Sequence, residues 1–162
     1  MQTNPAYHIN LPQIHHYFAN ECYQQAVKLC KKNQRSPAED ELLEQTAHAT
    51  CYHQHQLPEE KEKLVRHQWL LTVVYASLNN AARAEHYAEQ CCTLCQNFAD
   101  DVPMVSYAYA MNAQAHALLA AHEPEQAHGY LQLSNDIADE ITNPDHKLHF
   151  WADCGSWHTA EG

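Results

Sequence analysis

The placement of prolines and capping residues limits this chain more tightly than any other feature. Pro12, Pro37, Pro58, Pro103, Pro124 and Pro144 each introduce a stretch of helical length, where the first turn tolerates the missing N–H. Ser36 is the expected cap before Pro37, and Glu39, Asp40 and Glu41 suit the positive end of the following helix. "NNAAR" (Asn79–Arg83) breaks the chain without proline, and Asp101 is the expected cap of the segment that Pro103 opens. This punctuation predicts seven helices, near residues 12–32, 37–56, 59–78, 81–98, 103–121, 124–141 and 144–153. The turns between them are short, so consecutive helices should pack as antiparallel neighbours. Residues 1–154 are expected to form a single all-helical domain and 155–162 a flexible C-terminal tail. Three glycines in 162 residues, abundant Ala, Leu, Glu and Gln, and few β-branched residues leave little for a sheet.

Within that frame the third segment stands apart. Leu64, Val65, Trp69, Leu70, Leu71, Val73, Val74, Tyr75 and Leu78 leave it no polar face, which marks the central, buried helix. The first helix carries an apolar stripe of Ile14, Phe18, Cys22, Ala26 and Leu29, expected to face the core.

The fourth and sixth segments echo each other. "ARAEHYAEQCCTLCQNF" (Ala82–Phe98) and "PEQAHGYLQLSNDIADEI" (Pro124–Ile141) align Ala84 with Ala127, Tyr87 with Tyr130, Cys91 with Ser134, Leu94 with Ile137 and Cys95 with Ala138. The offset is 43 residues. A small residue followed by larger ones on one stripe lets a second helix lie close to its hairpin partner, so the echo implies stacked helix pairs. On these residues, with Trp69 and Tyr75 ahead of them, Leu64–Ile141 resembles tetratricopeptide (TPR) repeats. That resemblance implies antiparallel hairpins stacked in a right-handed array, although the period exceeds the usual ~34 residues. The first hairpin lacks the echo and is expected to act as a cap. The chain as a whole also resembles short bacterial proteins through "AHATCYH", "VVYASL" and "HYAEQC", which implies a bacterial source and no particular activity.

Charge narrows the partners. A formal net charge of −11 lacks the basic footprint that nucleic acid or an anionic membrane requires. "LLTVVYASL" is too short to span a bilayer, and "MQTNPAYHINLPQ" lacks the basic start and apolar run of a signal peptide. Seven cysteines, an odd number at helical spacings, fit reduced thiols and a cytoplasmic location.

Four sets of residues invite a functional reading. In "TAHATCYHQHQ", His48, Cys51 and His55 share a helix face and have the donor types for zinc or copper, a small metal-binding or metal-sensing protein being the alternative to an interaction module. Cys51 also flanks the stripe of Leu43, Ala47 and Thr50, where a structural thiol belongs. In "CCTLC", Cys91 and Cys95 fall on the core stripe with Cys92 at its edge, and no helix N-terminus lies near to activate them. In "DHKLHFWADC", His146 and His149 are three residues apart, on a helix that Phe150 and Trp151 should dock. The fourth set is a surface. Arg66 and Trp69 on the third helix and Tyr109, Asn112 and His116 on the fifth would line the concave side of a stacked array. No GxSxG elbow, HExxH or phosphate-cradling glycine loop is present.

The expectation is therefore a non-enzymatic helical-repeat module that needs no cofactor and binds a peptide or protein segment in a concave groove. A homodimer would cover the unfinished ends of such an array. Histidines on buried stripes, His116 above all, are expected to be neutral in the folded state.

Overall fold

Side chains at the ends of the helices show how the punctuation works. Ser36 forms a capping box: its hydroxyl accepts from the Glu39 N–H at 3.2 Å, and the Glu39 carboxylate accepts from the Ser36 N–H at 2.9 Å. Asn10, Asn80 and Asn143 cap three other helices by accepting from N–H groups of the first turn. The computed structural model describes residues 9–58 and 61–155. Among these it contains seven helices and no strand: α1 (Leu11–Cys30), α2 (Pro37–His55), α3 (Lys61–Ser77), α4 (Ala81–Asn97), α5 (Met104–Ala120), α6 (Pro124–Asp139) and α7 (Pro144–Cys154). None of the helices is long and apolar enough to cross a membrane. Residues 156–162, most of the expected tail, and the first two residues of the expected third helix lie outside the described residues.

Asp101 does not cap α5. Pro103 holds that position without a side-chain bond, while the Asp101 carboxylate pairs with Lys61 at the start of α3. The half-buried lysine opposite offers the carboxylate a charged partner that the N-terminus of α5 does not match.

The helices pair as α1/α2, α3/α4 and α5/α6, and the three hairpins stack, with α7 docked on α5 and α6. As expected, α3 is the central helix. Every residue from Trp69 to Tyr75 is buried, and so are Val65 and His67. Alanines make the close approach possible: Ala84 and Ala88 on α4, Ala108, Ala110 and Ala113 on α5, and Ala127 and Ala138 on α6 are all fully buried.

The repeat is physical as well as sequential. The Cys91 thiol donates to the Val65 carbonyl at 3.6 Å, and the Ser134 hydroxyl donates to the Ala108 carbonyl at 2.8 Å, each across a separation of 26 residues. Both later hairpins turn on a residue in the left-handed region, Asn79 at φ 57° and His122 at φ 63°. After each, an N–H reaches back to a helix carbonyl, Asn80 to Tyr75 and Glu123 to Leu118. Two hairpins thus end in the same way at the same register.

On α1 the expected stripe is rotated by about one residue. Ala19, Tyr23, Ala26, Leu29 and Cys30 are buried, whereas Ile14 and Phe18 are 39% and 44% exposed. Small residues at 19 and 26 face the rest of the array, and the bulkier residues of the first turns point away from it.

Trp69, 1% exposed, spans the α3/α5 contact and donates its indole N–H to Asn112 Oδ1 at 2.7 Å. Trp69→Ala is expected to cost about 3–5 kcal/mol, because it opens a cavity and strips a buried amide oxygen of its donor. Urea denaturation measures this, and a variant as stable as the parent would contradict the packing described.

Candidate functional site

Three side chains, one from each of α1, α3 and α5, meet at a single carboxylate on α7. Asp153 Oδ2 accepts from the Tyr23 hydroxyl at 2.6 Å, the Tyr109 hydroxyl at 2.6 Å and Arg66 Nε at 2.7 Å. Arg66 Nε lies 2.9 Å from the Tyr23 oxygen as well, and its guanidinium sits over the Tyr23 ring, 4.3 Å from the centroid. Tyr23 and Arg66 are 43 residues apart, and Tyr109 and Asp153 are 44 apart. Arg66 and Tyr109 are separated by the same 43-residue step as Trp69 and Asn112. The cluster therefore occupies one equivalent position in successive first helices, and α1 belongs to the repeat register.

Burial sets the protonation. It pushes the Tyr23 and Tyr109 hydroxyls well above the usual tyrosine range, with Asp153 adding to the effect, so both stay neutral donors. For Arg66, burial opposes the charge, but the Asp153 carboxylate at its Nε supports it and the guanidinium stays protonated.

Arg66 and Tyr109 also border a cleft of about 90 Å³, together with Glu62, Lys63, Val105, His146 and His149. It lies between α3, α5 and α7. His146 Nε2 approaches Glu62 Oε2 at 3.1 Å across the space between α7 and α3. Of the five residues expected to form a groove, these two line the cleft. Trp69 and Asn112 are brought together, but they are buried and face each other instead of an opening. His116, 8% exposed, borders a second, separate depression with Val73, Ser77, Asn79 and His122.

The structure does not bring the suggested metal ligands together. His48 Nε2 lies 2.7 Å from the Tyr75 hydroxyl, which donates to Glu44 at 2.6 Å. The Cys51 thiol points at the His67 carbonyl, and His55 is exposed. Among the described residues no group of three or more His, Cys, Asp or Glu side chains is placed to hold a metal ion. His53 instead meets His15 of α1, Nδ1 to Nδ1, at 2.8 Å and stacks on Phe18. The buried thiols are unreactive in character: burial pushes Cys51 and Cys95 up to about 12 and raises Cys91 well above the usual thiol range.

Comparison of the chain with protein-family models, curated proteins and solved structures finds no match. The reading of the site therefore rests on its geometry.

Three residues of the interior escape the sequence reading. Tyr23 and Asp153 complete the cluster, and their signal was the step of 43 or 44 residues from Arg66 and Tyr109. His67 is the third. Its place within the all-apolar stretch of α3 was the signal. It is 6% exposed, its Nδ1 has no hydrogen-bond partner, and burial and then the neighbouring Arg66 lower its pKa to about 3.

Two outcomes follow from these contacts. Asp153→Ala leaves the Arg66 charge without its buried counter-ion and should cost about 3–5 kcal/mol in urea denaturation, undocking α7 first. A small loss would mean that water replaces the carboxylate. The His67 effect has a definite sign. Its folded pKa lies below the unfolded value of about 6.5, so the unfolded chain binds the extra proton and stability falls as pH drops below 6.5 toward 3. One proton corresponds to a slope of about 1.4 kcal/mol per pH unit, so His67→Gln should flatten the stability profile by that amount between pH 6 and 5. An unchanged slope would place the histidine in water.

Proposed function

We propose that this chain is a non-enzymatic interaction module, a TPR-like array of helical hairpins that holds a protein or peptide segment against its first helices. The observation that carries this reading is the cleft between α3, α5 and α7. It lies beside the Arg66–Asp153 cluster and combines an apolar wall, formed by Val105 and the Tyr109 ring, with charged and hydrogen-bonding groups on both sides. Pockets that bind side chains have this composition, mostly apolar with a few fixed polar groups. The cluster beneath holds Arg66 and Tyr109 in place before any partner arrives, which removes part of the ordering cost of binding.

Selecting displayed peptides against the full chain, and mapping the selected peptide by amide chemical-shift changes, tests the proposal. The expected footprint covers Lys63, Val105, His146 and His149. A footprint on the outer helices α4 and α6, or no selectable peptide, would overturn it.

A further inference from the structure

Nitrogen-bearing side chains border the cleft from two helices, and the Glu62 carboxylate borders it as well. Lys63 and Arg66 stand one helical turn apart on α3, and His146 and His149 stand one turn apart on α7, and all four border the same space. Given the partner-binding reading on which this rests, we infer that the group seated in the cleft is a phosphoryl ester carried on a side chain of the partner, a phosphoserine or phosphothreonine. Donors on facing walls match a tetrahedral oxyanion, whose oxygens point in several directions. A planar carboxylate would use one wall.

Size agrees with this. The cleft, about 90 Å³, has room for a phosphoryl group. Arg66 is preorganised: Asp153 and Tyr23 fix its Nε, and the Tyr23 ring supports its face. Of the two carboxylates close by, Asp153 holds Arg66 through Nε, and Glu62 lies 3.1 Å from His146 Nε2, where the incoming phosphoryl group takes its place.

A membrane fits the same chemistry less well. An anionic bilayer presents an extended charged plane to a chain with 20 acidic and 9 basic residues, whereas one phosphoryl group meets only the local field. At physiological salt, charges beyond about 8 Å are screened from it.

The test uses the full chain with phenyl phosphate and benzoate as probes at matched ionic strength, followed through the imidazole ring signals of His146 and His149. Phenyl phosphate should shift both rings saturably and bind at least tenfold more tightly than benzoate. Lys63→Gln and His149→Gln should each weaken it about tenfold, with an unchanged urea midpoint showing that the fold is intact. Equal affinity for the two probes, no saturable shift, or indifference to both substitutions would overturn the proposal. Co-sedimentation with phosphatidylserine vesicles at physiological salt, lost in the same variants, would overturn it in favour of a lipid surface. A displayed peptide that binds the cleft without a phosphoryl group and is not displaced by phenyl phosphate would refute this inference and leave the partner-binding reading intact. Failure of every peptide and both probes would remove both.

Discussion

The Asp153 carboxylate is the point on which the arrangement of this protein turns. A guanidinium removed from water costs several kcal/mol unless a counter-charge and hydrogen bonds replace the solvent. Arg66 receives these from Asp153 and Tyr23, and Asp153 in turn collects the Tyr109 hydroxyl. The donors come from α1, α3 and α5, so no single hairpin contains the interaction. Each first helix has to be at the right depth and rotation before the last carboxylate is satisfied. Lys31, at the C-terminal end of α1, adds a bond to the Ala152 carbonyl on α7, which strengthens the same closure. Hydrophobic contact among alanines and aromatics has little directional preference, whereas this polar core selects one register from many similar packings.

Helix number and order were legible because they depend on local chemistry. Proline, asparagine and serine act within a turn of where they stand, and Asn10, Ser36, Asn80 and Asn143 cap as their identities suggest. The centre of the fold was legible in α3 for a similar reason, since a helix with no polar face has one place to go. What was hidden is long-range. The echo was visible on the second helices, where Cys91 and Ser134 are both small and both reach back to a first-helix carbonyl. On the first helices the equivalent positions are Tyr23, Arg66, Tyr109 and Asp153, four residues of three types. A comparison by likeness passes over them, because complementarity joins them and not similarity.

Among the described residues His48, Cys51 and His55 do not gather into one metal-holding group, and distance is the reason. His48 and His55 share a helix face but are seven residues apart, about 10 Å along the axis, while zinc–ligand bonds measure about 2.0–2.3 Å. Two of the three have nearer partners, His48 in Tyr75 and Cys51 in the His67 carbonyl, and His55 is exposed. On α1, a helical wheel drawn from bulk alone chose Ile14 and Phe18, but the packing chose Ala19 and Tyr23. Close approach of helices favours small residues at the contact, so size in such an array is a poor guide to burial.

In an evenly stacked solenoid each step separates equivalent helices by about 8–10 Å, so α1 and α7 would stand on the order of 25 Å apart. Here the Tyr23 hydroxyl and the Asp153 carboxylate touch at 2.6 Å. Among the described helices the array curls until the α1 hydroxyl donates to the α7 carboxylate. Repeat proteins commonly grow or shrink by whole units, since each unit bonds only to its neighbours. This one has lost that freedom. A duplicated hairpin would force the ends apart and leave the arginine charge stranded, and a deleted one would remove a donor. The carboxylate acts as a length gauge: it is satisfied only when α1, α3, α5 and α7 stand at this spacing.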